Sequence, residues 1–236
     1  MKISKKTFIR YHSIMKSIFV INHFKFIDQI VLNKRKEMVN IINEQLKNIE
    51  ITDALDIGST NDEDFESSNY LIKNINRVKY YKSISDQIIT DKFFSSSLIK
   101  SITDDFSNQE LEKFKSDLVI SNATIEHVGS LKNQIKMISN IVKLSKKLFI
   151  LTTPNQFHPI DFHTKLPFIH WLPKSMHRKI LKVLNLNFFA DQNNLNLMSE
   201  NDLKLCLKEN NIINYKIFYI RLFGFKSNFL VIGKVN

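Results

Sequence analysis

The stretch Ala54-Leu55-Asp56-Ile57-Gly58-Ser59 is a short apolar run that stops at a carboxylate, a glycine and a serine. A second stretch, Asp117-Leu118-Val119-Ile120-Ser121-Asn122-Ala123-Thr124-Ile125-Glu126-His127-Val128, stops the same way and leads into a helix-like pattern. Apolar runs of this length that end in small and polar residues are what buried parallel strands look like at their carboxyl ends. Open α/β sheets bind their ligands at that edge. Asp56 and Gly58 put a carboxylate beside a turn without a Cβ, so backbone can approach a ligand while the carboxylate accepts from an ammonium or hydroxyl group.

Outward from these two runs, strands and helices alternate. Residues 53–57 read as the first strand and 78–84 as the second, ending near Ser85-Asp86. A short third strand ends within Ser101-Ile102-Thr103-Asp104-Asp105, and 118–120 is the fourth. Leu131 to Leu144 repeats Ile135, Ile138, Ile141 and Val142 at helical spacing. Leu148 to Leu151 is the fifth strand, stopped by Thr152-Thr153-Pro154-Asn155 because proline cannot continue a central ladder. Asn61 to Ile75 can hold a helix, with Asp62, Glu63 and Asp64 in the first turn, where negative charge is favoured. Ser199 starts another through Lys208, with Asp202 at the third helical position. Tyr215–Leu222 and Phe229–Val235 close the pattern as a strand pair around Gly224. The order implies a doubly wound, mostly parallel α/β sheet.

Residues 1–50 read as an N-terminal helical segment, and residues 51–236 as one domain. Within that domain, 156–190 hold three of the four prolines, four histidines and the only tryptophan, and read as an inserted helical cap. The segment from Ile14 to Val31 is broken as a membrane span by Lys16, His23, Lys25 and Asp28. It is amphipathic, with Phe19, His23, Ile27, Ile30 and Val31 on one side. Such a helix packs on the core, or rests on an anionic membrane as a peripheral contact. The single cysteine, Cys206, excludes an internal disulfide and fits a reducing, cytoplasmic compartment or the inner membrane surface. The net charge of +11 invites a nucleic-acid partner. Lysines are spread along the chain, however, with no basic run interleaved with aromatics, which argues against one.

Leu55-Asp56-Ile57-Gly58, Asp117 to Asn122 with Glu126-His127, and Thr153-Pro154-Asn155 resemble, in order and spacing, the motifs of class I S-adenosylmethionine-dependent methyltransferases of the small-molecule type. The resemblance covers roughly residues 50–235. It implies a seven-stranded Rossmann-like methyltransferase sheet whose last strand is antiparallel. It implies S-adenosylmethionine as cofactor, with Asp56 facing the methionine ammonium group and Gly58 and Ser59 forming the close loop. Asp86 would hold the ribose hydroxyls, with Ser85 as the alternative in that slot. Asp104 would stand beside the adenine amino group, and Asn122 near the sulfonium. The family's loop carries more glycines than Ser59-Thr60-Asn61 provides after Gly58.

A hydroxyl acceptor needs a proton acceptor working near neutral pH, and histidine suits that role. The candidates are His127, after the fourth strand, and His158 and His163 in the cap. Some members of the family hold a divalent ion with Glu-x-x-Glu-His and a later histidine; here Ala123 replaces the first glutamate. His163, His170 and His177 recur every seven residues, which is not a zinc spacing, and no metal is expected. The expected acceptor is a small molecule or a glycan or lipid precursor. Two other readings stand beside this one. A methyltransferase-fold binding protein without turnover is favoured by the thin glycine loop. A nucleic-acid methyltransferase is favoured only by net charge. No Gly-x-Gly-x-x-Gly is present to support a nicotinamide enzyme.

Overall fold

The computed structural model describes residues 21–61 and 66–235. It begins in a helix, α1 (Ile21–Leu46), followed by β1 (Asp53–Ile57), α2 (Tyr70–Lys73), β2 (Tyr80–Ser85), β3 (Ser96–Ile99), α3 (Asn108–Phe114) and β4 (Ser116–Asn122). A 3₁₀ turn (Ile125–His127) leads to α4 (Leu131–Leu144) and β5 (Ser145–Pro154). The cap carries a second 3₁₀ turn (Ile169–Trp171), α5 (Lys174–Val183) and α6 (Asn187–Ala190). The chain closes with α7 (Glu200–Glu209), β6 (Tyr215–Leu222) and β7 (Phe225–Lys234).

The seven strands form one sheet in the order β3-β2-β1-β4-β5-β7-β6. β1 through β5 pair in parallel, and β7 lies antiparallel between β5 and β6. This is the doubly wound sheet with an antiparallel last strand expected from the sequence. Side chains alternate across the central strands and separate two cores. Leu55, Ile57, Val119, Phe149, Leu151, Phe229 and Val231 face Met137, Ile138 and Ile141 of α4 and Leu203, Cys206 and Leu207 of α7. Ala54, Leu118, Ile120, Leu148, Ile150 and Leu230 face Met38, Val39, Ile42 and Leu46 of α1 and Leu71 and Ile72 of α2. The N-terminal helix is thus a packing helix over its described side chains. Phe19, His23 and Ile27, on which an interfacial face was expected, lie outside the described side chains. No described helix is long and apolar enough to cross a membrane.

Several boundaries differ from the sequence reading. β3 ends at Ile99, because Ser101 to Asp104 turns on its own polar groups: the Ser101 and Thr103 hydroxyls lie 2.8 Å apart, and Asp104 N–H donates to Ser101 O at 3.1 Å. Among the described residues, the helix expected over 61–75 covers Tyr70–Lys73; its acidic first turn at Asp62, Glu63 and Asp64 lies outside them. β5 is not stopped at Thr152 but runs through Pro154, which pairs with Asn228. The last β4 partner is Asn122, opposite Thr152, and the next N–H, that of Asn155, donates to Ser227 on the β7 side. Alternation turns the Pro154 nitrogen toward the side where β4 has already ended, so its missing N–H costs no ladder bond. β7 starts at Phe225, because the Phe223-Gly224 turn has φ of 51° and 82°, the two positive values a two-residue hairpin needs.

α7 forms where expected. Ser199 Oγ accepts from Asp202 N–H at 3.1 Å, and the Asp202 carboxylate accepts from Ser199 N–H at 2.9 Å, closing a capping box. Ser199→Ala is expected to lower stability by about 1 kcal/mol, read as a lower urea midpoint at unchanged slope.

Candidate functional site

The parallel register sets the carboxyl ends of β1, β2, β4 and β5 level with one another: Ile57 pairs with Ile84 and Ser121, and Ser121 with Leu151. Asp56 is buried there and accepts from Ser59 Oγ at 2.5 Å. Burial raises its pKa to about 6, against the pull of the Ser59 hydrogen bond and of Lys73. The next turn needs glycine on two counts. Gly58 has φ of +88°, and a Cβ there would sit 2.4 Å from Thr124 Oγ1. Thr124 is itself held, with Oγ1 within 3.3 Å of Ile57 O and 3.2 Å of Asn122 O. The backbone of the β1 loop therefore lies directly against the β4 loop.

Beyond Gly58 the loop is pinned by side chains. Asn69 accepts from Thr60 N–H at 3.1 Å and donates to Thr60 O at 2.7 Å. Ser85, at the end of β2, donates to Ser59 O at 2.9 Å. Ser59 and Ser85 are thus both buried hydrogen-bonding groups of the loop floor. Asp86 follows Ser85 and is exposed. Asp104 is exposed in the turn after β3, where its carbonyl accepts from Asn140 Nδ2 at 2.9 Å. Asn122 ends β4, and its Oδ1 accepts from Thr152 Oγ1 at 2.6 Å. Asp56 is thus the last residue but one of β1, Asn122 ends β4, and Gly58, Ser59, Asp86 and Asp104 lie in the loops after β1, β2 and β3.

The three nominated histidines separate into two groups. His158 is buried in the cap, stacked on Phe162 with ring centroids 4.8 Å apart. Its carbonyl accepts from His170 Nε2 at 2.7 Å and Trp171 Nε1 at 3.2 Å, so it braces the cap. His127 and His163 meet, their Nε2 atoms 3.3 Å apart. His127 Nδ1 lies 2.7 Å from Asn194 O. His163 Nδ1 lies 3.2 Å from Asp161 Oδ1, which also accepts from His163 N–H at 2.9 Å. Burial would raise the Asp161 pKa, but the bonds from His163 and Thr164 hold it well below the ordinary carboxylate range. Crowding around the His127 ring lowers its pKa, although 37% of the side chain still reaches solvent.

Glu126 lies beneath this pair and is wholly buried. Its Oε2 accepts from Thr153 Oγ1 at 3.0 Å, while Oε1 has no hydrogen-bond partner among the described residues. Oε1 stands 3.8 Å from His163 Nε2 and 4.0 Å from His127 Nε2. One ligand-capable atom from each of Glu126, His127 and His163 thus lies within 4.8 Å of the other two. Linear spacing concealed this group, because His163 arrives from the cap and not from the β4 loop. Asp161 and the Asn194 carbonyl were missed as its anchors; the signal for the first was the Asp161-x-His163 spacing itself. At the opposite edge of the sheet, a cleft lined by Asp53, Lys82, Asp117 and Lys147 is filled with paired charge: Lys82 to Asp53 is 2.8 Å and Lys147 to Asp117 is 3.2 Å.

A sheet ordered 3-2-1-4-5-7-6 with its seventh strand antiparallel, a glycine turn after β1 and polar β4 and β5 ends has the fold of the class I S-adenosylmethionine-dependent methyltransferases. Solved structures agree. Magnesium protoporphyrin IX methyltransferase (ChlM) from Synechocystis PCC 6803 with bound S-adenosylhomocysteine aligns at TM-score 0.55 and 12% identity, over 98% of this chain and 95% of that one. The CurJ carbon methyltransferase aligns at TM-score 0.54 and 12% identity, over 85% of this chain and 54% of that one. A methyltransferase from Archaeoglobus fulgidus aligns at TM-score 0.51 and 14% identity, over 85% and 94%. No family model matches the sequence, and no curated protein matches it.

Proposed function

We propose that this chain transfers the methyl group of S-adenosylmethionine to a hydroxyl of a small molecule or of a glycan or lipid precursor. The observation that carries the reading is the pairing of buried Asp56 with Gly58, whose backbone is pressed against Thr124 at the carboxyl edge of the sheet. A Cβ there would meet the Thr124 side chain, so the glycine holds the β1 loop against the β4 loop, and the buried carboxylate beside it suits an ammonium group. Asp86 and Asp104 follow β2 and β3, where they suit ribose hydroxyls and an adenine amino group. Asn122, the last residue of β4, suits a place near the sulfonium.

The bound cofactor supplies a methyl carbon made electrophilic by a sulfonium. The residues of the chain supply position and a destination for the proton. With cofactor and acceptor bound, the methyl would pass to the acceptor oxygen, leaving S-adenosylhomocysteine, and the Glu126–His127–His163 cluster would take the hydroxyl proton. The cap residues Phe157, Phe168 and Trp171 are large and exposed, and suit an acceptor with an apolar part.

A second reading, cofactor binding without turnover, is favoured by the Ser59-Thr60-Asn61 loop that Asn69 pins. The two are separated by incubating the protein with methyl-labelled S-adenosylmethionine and pooled hydroxylated acceptors. Labelled product and S-adenosylhomocysteine appearing together, and reduced by about 100-fold or more in His163→Ala, support the enzyme. Cofactor that binds but never turns over with any acceptor pool supports the second reading.

A further inference from the structure

We infer that Glu126, His127 and His163 hold a divalent first-row transition-metal ion of the zinc type. Asn194 O can only accept, so His127 Nδ1 carries the proton; the Asp161 carboxylate fixes the same tautomer on His163. In the neutral rings both Nε2 atoms are then lone pairs, and they face each other at 3.3 Å. The third group is a carboxylate oxygen that is wholly buried and has no hydrogen-bond partner among the described residues. Three electron-pair donors converging without a donor hydrogen among them call for a cation between them.

The distances favour a metal ion. Two imidazole nitrogens at 2.0–2.1 Å from a tetrahedral ion are about 3.3 Å apart, and His127 and His163 already stand at that separation. Glu126 Oε1, now 3.8 and 4.0 Å from those nitrogens, needs to move in by about half an ångström to reach a zinc-like bond length. Both imidazoles carry the anchor on the far nitrogen that metal-binding histidines use, one a backbone carbonyl and one a carboxylate. Thr153 holds the other Glu126 oxygen. Two imidazoles and one carboxylate suit zinc, cobalt, iron or manganese in preference to magnesium or calcium. Three protein ligands leave a coordination position open. An ion held there would make an acceptor hydroxyl in that position more acidic; with both Nε2 atoms engaged as ligands, its proton would pass to bulk water instead of to a histidine. That role rests on the methyl-transfer reading; the binding of the ion does not.

The test is metal content and titration of the full chain. After treatment with chelator and exchange into metal-free buffer, the protein is titrated with Zn²⁺ by calorimetry and with Co²⁺ by visible absorption. The expected result is about one ion per chain, with cobalt ligand-field bands and a raised melting temperature. His163→Ala and Glu126→Gln are expected to weaken binding by about 100-fold or more, while His177→Ala, in the cap, leaves it unchanged. Circular dichroism and S-adenosylhomocysteine binding report whether each variant folds. A folded intact chain that takes up neither ion, with the two histidines sharing a proton instead, overturns the inference. So does uptake that is equal in all variants, which marks adventitious surface binding. If S-adenosylhomocysteine binds and metal does not, the metal site alone falls; the reverse outcome removes the methyl-transfer reading and leaves the metal site standing.

Discussion

Asp56→Asn is expected to make the protein more stable at pH 7 and to weaken S-adenosylmethionine binding by about 10- to 100-fold, the usual worth of a hydrogen bond to a charged group. The two effects share one cause. Asp56 is buried, and its pKa is about 6 against an ordinary value of 3.8. The folded chain therefore holds this proton more tightly than the unfolded chain does. Stability is greatest below the unfolded value and falls as pH rises from about 4 to about 6, where the charged form must be buried. A shift of that size corresponds to roughly 3 kcal/mol at most. The isosteric amide removes that penalty and keeps a partner for Ser59. Binding runs the other way. Only the carboxylate attracts an ammonium group, so cofactor affinity should rise through pH 6 in the natural protein and stay flat in Asp56→Asn. Urea midpoints and calorimetric titrations at about pH 5 and pH 7.5 check both halves. A variant that loses stability and keeps its affinity would remove Asp56 from the cofactor site.

Gly58→Ala should cost about 2–5 kcal/mol of stability and abolish cofactor binding. About 1–2 kcal/mol comes from placing a Cβ in the left-handed region. A further 1–3 kcal/mol or so comes from overpacking against Thr124. Thr124 cannot swing clear without leaving Ile57 O and Asn122 O, which lie within 3.3 Å of its hydroxyl. Adding Thr124→Ala to Gly58→Ala separates the two terms, because it removes the clash and leaves the backbone strain. The double variant should regain part of the stability but not all of it. Full recovery would mean that φ of +88° is no constraint; no recovery would mean that the Thr124 contact is not the obstacle.

The sequence disclosed the centre of this fold better than its edges. β1 and β4 are buried on both faces, so their apolar runs are continuous, and β1 was found at its true boundaries. β3 is an edge strand of four residues, Ser96-Ser97-Leu98-Ile99, with alternate side chains exposed, and it carries too little apolar signal to be separated from the turn after it. The sequence reading ends β5 at Leu151, three residues short of Pro154, because a linear reading cannot know that β4 ends first. The candidate site divides in the same way. Asp56 and Gly58 are consecutive elements of one strand end and are visible together. The Glu126–His127–His163 cluster depends on the cap folding back, on Asp161 orienting His163, and on Asn196 fastening the segment that carries Asn194. Asn196 does so by donating its N–H to Glu126 O at 2.7 Å and its Nδ2 to Gly129 O at 2.7 Å. None of these contacts has a signature in local periodicity, so the histidines were nominated singly and their convergence was not foreseen.

The most direct test of the central claim is calorimetric titration of the intact chain with S-adenosylhomocysteine at about pH 7.5, repeated with Gly58→Ala. The structure predicts one binding event of roughly micromolar affinity in the natural protein, an affinity equivalent to about −8 kcal/mol, and none in the variant. An intact, folded protein that gives no binding heat, with or without zinc present, would contradict it and leave a methyltransferase fold that serves another purpose.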